Sequence, residues 1–186
     1  MTDAPAAVQK LTPALRYGID LRPLTDGDLE RVRQWRNDPQ IASMMVDQHT
    51  ISPEQHQAWF ARISASQRHF CFVAYFRGEP IGVATLTLDA EDPQRAEPGL
   101  YIGEARFRQN LVPFCVVFAL LDFAFEQLGV SQLTARVFAH NSAARRFNAS
   151  CGYRPLGPEG DGLNCYQLTA ADYYAARDHY SRFIRY

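Results

Sequence analysis

Eighteen consecutive apolar residues occur nowhere in the 186-residue chain. A bilayer-crossing helix needs about twenty, so no membrane-spanning helix is expected. The N-terminal MTDAPAAVQKLTPALRYG has no continuous apolar core of the signal-peptide kind. Closely spaced cysteines are missing too: Cys71, Cys115, Cys151 and Cys165 are scattered and form no CxxC pair. Zinc sites draw on such pairs, so no metal is expected. The thiols read as reduced, small apolar fillers of a cytoplasmic protein. Nor is there an excess of one charge: 19 basic residues face 20 acidic ones, a net −1. That balance gives no bulk attraction to DNA or another polyanion. No internal repeat or low-complexity block is present.

What the chain does have is apolar substance, 47% hydrophobic and 12% aromatic, enough for one domain with a sizeable core. Its organising stretch runs from Gly99 to Gly129, GLYIGEARFRQNLVPFCVVFALLDFAFEQLG. It reads as a short apolar strand, a polar loop and about four turns of helix. Pro113 fits the first turn, where its missing N–H loses no partner, and Gly129 is placed to end the helix. Val116, Leu120, Phe123 and Leu128 share one face while Val117, Phe118, Leu121 and Phe125 fill others. A helix apolar nearly all round belongs in the interior. A strand feeding a loop at a helix N-terminus is also a standard anion site.

Along the chain, residues 1–16 read as an Ala/Pro-rich leader, and Tyr17 to Leu24 as the first strand. Thr25 to Asp28 caps a helix from Leu29 to Trp35, which Asn37-Asp38-Pro39 ends. Ser52-Pro53-Glu54-Gln55 opens a second helix through His56, Trp59 and Phe60 to about Ile63, with Ser at the cap, Pro at N1 and Gln at N3. His69 to Phe76 and Ile81 to Leu88 form a hairpin around Arg77-Gly78-Glu79-Pro80. Ala90 to Pro98 reads as a polar loop before the strand Gly99 to Ile102. Gln132 to Phe138 is a strand, Asn141 to Ser150 a helix, and Tyr153 to Pro155 and Asn164 to Leu168 a closing pair of strands around the turn-rich 157–162. Residues 170–186 have helical spacing and are placed to dock on the body or on a second subunit. The order β-α-α-β-β-β-α-β-α-β-β predicts an α/β fold, a mixed sheet with helices on both faces.

That order and several motifs resemble the GNAT superfamily of acyl-CoA N-acyltransferases. Val137-Phe138-Ala139-His140-Asn141-Ser142-Ala143-Ala144, followed by Phe147 and Cys151-Gly152-Tyr153, is similar to its "strand, Asn-x-x-Ala, helix, Gly-aromatic" signature. Trp35-Arg36-Asn37, Ile51-Ser52-Pro53-Glu54-Gln55-His56 and Trp59-Phe60 resemble the UDP-4-amino-sugar N-acetyltransferases of pseudaminic acid biosynthesis, as do Gly82-Val83, Thr85 and Gly99-Leu100-Tyr101. The resemblance covers roughly residues 17–168 and implies a central twisted sheet splayed between its fourth and fifth strands. In that splay acetyl-CoA, the co-substrate, would lie, contacting Leu100, Ile102, Arg108, Gln109, Asn110, Leu111, Val112 and Asn141. An amino-sugar nucleotide would be held by Arg36, Asn37, His56, Thr85, Thr87 and Tyr101. His56 reads functionally either as a holder of the substrate's nucleotide part or as the acceptor of the ammonium proton, and a homodimer is one assembly left open.

Two departures stand out. The family's pyrophosphate loop, Arg/Gln-x-x-Gly-x-Gly/Ala, corresponds to Arg108-Gln109-Asn110-Leu111-Val112-Pro113, which has no glycine. Each Cβ hinders phosphate approach to the backbone, and Arg106 and Arg108 are then the residues to supply charge. The family's frequent general-acid tyrosine corresponds to Asn148, whose amide donates a hydrogen bond but supplies no proton near neutral pH. Structural readings stand beside the functional ones. Arg36 and Asn37 complement a helix end, His56 is a surface histidine, the threonines and tyrosine are ordinary strand residues, and Asn141 is an N-cap. The leading expectation is acetyl transfer from acetyl-CoA to the 4-amino group of a nucleotide-linked deoxyamino sugar. The alternatives are another acyl donor, carried on an acyl carrier protein or a tRNA, and a non-catalytic binding subunit.

Overall fold

The computed structural model describes residues 11–184. Seven strands form one sheet in the order β1-β2-β3-β4-β5-β7-β6: β1 Ile19–Pro23, β2 His69–Phe76, β3 Glu79–Leu88, β4 Arg95–Ile102, β5 Gln132–Phe138, β6 Arg154–Gly160 and β7 Leu163–Thr169. Every neighbouring pair is antiparallel except β4 and β5. The expected mixed sheet with helices on both faces is what the chain forms. Most of the expected 1–16 leader, residues 1–10, and the last two residues of the expected tail lie outside the described part.

On one face sit the helices α1 (Leu29–Asn37), α2 (Pro39–Ala42) and α3 (Pro53–Ala65). They pack Val32, Trp35, Ile41 and Ile63 onto Val73 and Val83. The α3 start behaves as its sequence dictates: Ser52 Oγ accepts from the Gln55 N–H at 3.2 Å, and Gln55 Oε1 accepts from the Ser52 N–H at 2.9 Å. The first helix ends at Asn37-Asp38-Pro39 as expected, and Pro39 also starts the short α2, capped by Asp38 Oδ1 on the Gln40 N–H at 2.9 Å. A proline that closes one helix is well suited to N1 of the next.

The other face carries α4 (Val112–Asp122), α5 (Ser142–Ser150) and α6 (Ala170–Ser181). In α4 nine of eleven residues are buried, as an all-round apolar helix requires. It runs on into one wider turn, Phe123–Gln127. Gly129 at φ 69° then closes it, with the Val130 N–H donating to the Ala124 carbonyl at 3.0 Å.

Only β2 and β5 keep their expected bounds; β1 is shorter than Tyr17 to Leu24, β7 is one residue longer at each end, and three others change more tellingly. β4 begins at Arg95 rather than Gly99, because its polar first half is paired on both sides: Glu97 faces Thr87 in β3, and Arg95 and Ala96 face Gln132 and Leu133 in β5. β3 begins at Glu79, and β6 runs to Gly160, so that Asp161 and Gly162, at φ 49° and 74°, alone make the hairpin turn. The glycines at 157 and 160, which suggested a broad turn, fall at two bulges in the β6–β7 register.

Candidate active site

β4 and β5 pair only at Arg95–Gln132 and Ala96–Leu133 and then part. Which backbone groups of β4 line the gap follows from the hydrogen bonds at its start. The Gln94 carbonyl accepts from the Ser131 and Gln132 N–H groups, on the β5 side, whereas the Arg95 carbonyl accepts from Asp89, on the β3 side. Register with β3 is unbroken from Ala96 to Ile102, so the even-numbered residues of β4 turn their backbone toward β5. Beyond the last pair these are Pro98, Leu100 and Ile102. Pro98 has no N–H, and the Ile102 carbonyl accepts from Arg108 Nε at 2.9 Å. The gap therefore presents the Pro98 and Leu100 carbonyls and the Leu100 and Ile102 N–H groups, a strand edge suited to an amide-bearing chain.

On the α1–α3 face of the same strands lies a cavity of about 410 Å³, lined among others by Arg36, His56, Trp59, Thr85 and Tyr101. Gly99, paired with Thr85, leaves room for that lining side chain: a Cβ there would stand 2.5 Å from Thr85 Oγ1. His56 is 4% exposed, stacked on Trp59 at 5.0 Å between centroids. Burial first, then the Arg33 charge, lowers its pKa, with a hydrogen bond to the Leu29 backbone opposing. His56 Nδ1 and Arg36 Nη1 are both buried without a hydrogen-bond partner, a costly state for polar atoms. The other Arg36 terminus donates to the Asp47 carbonyl.

Of the residues expected to hold the acceptor, Arg36, His56, Thr85 and Tyr101 come together here, while Asn37 and Thr87 do not line the cavity. Asn37 is a clamp: its Nδ2 donates to the Ile51 carbonyl and its Oδ1 accepts from the Ile51 N–H, each at 2.9 Å. It thereby ties the 43–51 loop, one wall of the cavity, to the end of α1. Thr87 sits one strand repeat farther along, opposite Glu97. Asp47, His49, Thr50, Gln55 and Arg62 also line the cavity. Sequence reasoning missed them because three belong to an irregular loop without periodicity, although Arg62 lies six residues beyond His56 on α3.

On the donor side, Arg108 lies in the loop before α4 and is fully engaged with protein. Its Nη1 donates to Gln40 Oε1 at 2.7 Å, and its Nη2 to Asp38 Oδ2 at 2.8 Å and to the Gly103 carbonyl at 2.7 Å, beside the Nε bond to Ile102. Arg106 is paired with Glu79. Asn110 Oδ1 accepts from the Val112 N–H at 2.9 Å, while Gln109 and Leu111 are exposed. Asn141 Oδ1 caps α5 through the Ala144 N–H at 3.0 Å. Asn148 lies on that helix, its carbonyl accepting from Cys151 and Tyr153, and does not line the cavity. Among the described residues no cluster of His, Cys, Asp or Glu is arranged to hold a metal. All four cysteines are free, and burial pushes Cys115 up to about 11 and Cys151 up to about 12.

The sheet thus parts between its parallel strands β4 and β5, with an open strand edge along β4 and beside it a cavity lined by Arg36, His56, Thr85 and Tyr101. Residues 19–154 match the acetyltransferase (GNAT) domain family, and the chain belongs to it and is an N-acetyltransferase. No curated protein sequence matches the chain significantly. Among solved structures it is similar to the aminoglycoside acetyltransferase AAC(6')-Ib in complex with coenzyme A (20% identity, 86% of this chain and 99% of that one, TM-score 0.75). FdhC, described as a nucleotide-linked sugar GNAT, aligns at 18% identity over 91% and 97% of the two chains, TM-score 0.76. An acetyltransferase from Thermus thermophilus aligns at 22% identity over 86% and 98%, TM-score 0.68.

Proposed function

We propose that this chain transfers an acetyl group from acetyl-CoA to the 4-amino group of a nucleotide-linked deoxyamino sugar. The observation that carries this reading is the pair of unpartnered buried atoms, Arg36 Nη1 and His56 Nδ1, in residues lining one cavity. Such a pair asks for a ligand that brings both an anionic oxygen and a hydrogen-bond donor. A sugar nucleotide bearing an amine has both, and FdhC supports the assignment by analogy of fold.

The amine must lose a proton before it attacks. His56, kept neutral by its lowered pKa, is suited to take that proton, directly or through one water. The nitrogen then attacks the thioester carbonyl: a C–N bond forms, the carbonyl oxygen becomes an oxyanion, the now cationic nitrogen gives up its second proton to water, and collapse breaks the C–S bond. The Leu100 and Ile102 N–H groups, turned into the gap, are the donors for the oxyanion. Thiolate departs with the carbon–sulfur electron pair and takes its proton from the medium or from the His56 imidazolium. An amide at Asn148 has none to give. Holding both substrates supplies most of the acceleration.

The test is acetyl transfer to UDP-4-amino-4-deoxy sugars by the intact chain and by Arg36→Ala. Loss of a charge-assisted contact, roughly 1.5–3 kcal/mol, raises acceptor KM about 10- to 100-fold with acetyl-CoA KM unchanged. Absence of transfer to any such sugar at high enzyme concentration refutes the acceptor assignment.

A further inference from the structure

The gap between β4 and β5 and the start of α4 are expected to share the work of binding a CoA thioester: the gap takes the pantetheine arm, the helix N-terminus the pyrophosphate. In this chain the first turn of α4 has little to offer for the second half of that division. Among the first three residues of α4, the Val112 N–H is already bonded to Asn110 Oδ1 at 2.9 Å and Pro113 has no N–H. Of these three only Phe114 has a donor to offer, beside the loop N–H groups of Gln109, Asn110 and Leu111, whose Cβ-bearing backbone a phosphate approaches less closely than a glycine loop. The Cys115 N–H donates back to the Leu111 carbonyl at 3.1 Å, closing the first turn.

Three nearby arginines are already engaged with protein. Arg108, at the head of the loop, makes four hydrogen bonds to protein acceptors, one of them the carboxylate of Asp38. Arg106 is neutralised by Glu79, and Arg145 on α5 donates to the Ala139 carbonyl at 3.1 Å. The surroundings are apolar instead. Phe114 lies 4.6 Å from Phe147 of α5 and 5.1 Å from Tyr180 of α6, centroid to centroid, and Leu111 stands 37% exposed. A pyrophosphate placed there would lose water and meet rings and methyl groups. The edge of β4, by contrast, retains donors and acceptors aimed into the gap for an amide-bearing arm.

We infer that the donor site recognises the pantetheine arm with its thioester and does not grip the pyrophosphate, so that its donor class is S-acyl pantetheine, whether borne on a nucleotide or on a carrier protein. The inference rests on the acyltransferase reading of the fold and is independent of the acceptor, since donor binding is measured without it.

The experiment is calorimetric titration of the full chain with CoA, dephospho-CoA and pantetheine, followed by competition with a holo acyl carrier protein. The three small ligands are expected to bind within about tenfold of one another, because a grip on the diphosphate through charge-assisted bonds would add more than that. CoA binding more than about tenfold tighter than pantetheine overturns the inference, as does a failure of pantetheine to bind. Displacement of CoA by the carrier protein assigns the physiological source to the carrier. Displacement by pantetheine alone assigns it to soluble thioesters such as acetyl-CoA. A failure of acceptor chemistry leaves all of these binding results standing.

Discussion

His56 joins three properties that its neighbours in sequence do not: nearly complete burial, a ring stacked on Trp59, and an Nδ1 without a partner. Its lowered pKa, set by burial first, has two consequences of the same sign. In the proposed role as base the neutral imidazole is the active form, so kcat is expected to fall as pH drops through that lowered value. The unfolded chain, with an ordinary histidine pKa near ~6.5, binds the proton more readily than the folded one. Stability therefore declines as pH falls from about 6.5 toward the folded value. His56→Gln is expected to lower kcat about 100-fold, the low end for lost general-base catalysis. It should also flatten the stability profile below about pH 6.5, read by thermal melts across pH. A variant with full activity and an unaltered profile would show that His56 neither titrates nor takes part. The sequence marked this residue as a candidate through its place in the capped helix and its resemblance. Its burial was not legible, since His56 reads locally as an exposed residue one turn into a polar helix and is buried only because α3 packs against α1.

Helix α1 acts through its last turn. Arg33 donates to the Ile51 carbonyl at 3.2 Å, Arg36 to Asp47, and Asn37 pairs with both backbone groups of Ile51. One helix end thus shapes the loop that walls the cavity proposed to take the acceptor. Asn37→Ala removes two of these bonds, at roughly 1 kcal/mol each. It should raise acceptor KM several-fold while kcat at saturation changes little, a split visible in steady-state kinetics. On the opposite face α6 is held by Asp122 of α4, 2% exposed. Asp122 accepts from Tyr173 and Tyr17 hydroxyls at 2.7 Å each, from Arg16 at 2.6 Å and from Arg177 at 2.8 Å. Burial works to raise the Asp122 pKa, but these four bonds outweigh it and hold it below the usual range. Its stabilisation is present above pH ~3.9 and lost as pH falls through the folded value. Asp122→Asn should destabilise by about 2–3 kcal/mol, the arginines being partly exposed. That lowers Tm by about 5–10 °C, and the acid limb of the stability curve shifts toward neutral. An unchanged Tm would remove Asp122 from the list of determinants.

Over the whole molecule, α6 is part of the body. Tyr173 is fully buried, its hydroxyl donating to Asp122 and lying 3.0 Å from the Phe118 carbonyl, and its ring stacks on Phe125 at 5.3 Å. A chain ending at Thr169 would leave the Asp122 carboxylate without two of its donors and uncover the apolar face of α4. Such a truncation is expected to abolish cooperative thermal unfolding, as followed by calorimetry, rather than release a detachable tail. Retention of a sharp transition near the full-length Tm would show α6 to be an appendage. The spacing of Tyr173, Ala176, Tyr180 and Ile184 announces the helix, while the choice between docking on the body and docking on a second subunit was open in the sequence. The partner for Tyr173 is Asp122, fifty-one positions away, and nothing local ties the two.

What the sequence determined by itself is whatever depends on neighbours in the chain. The Ser52–Gln55 capping box, Pro113 in a first helical turn, the Gly129 stop, the hairpin strand His69–Phe76 and the all-round apolar α4 each follow from residues a few positions apart. The missing glycines before α4 belong here too, as a property of the loop alone. Only the tertiary structure decided which polar groups are left for ligands. Arg108 reads as a phosphate ligand and serves as a brace to Asp38, Gln40 and the end of β4, contacts up to seventy positions away. Asn37 reads as a substrate contact and clamps Ile51. Arg36 and His56 keep buried atoms without partners. Whether a buried donor or acceptor is satisfied depends on every chain segment that reaches it, and those segments meet only when the sheet and its two helical layers close around them.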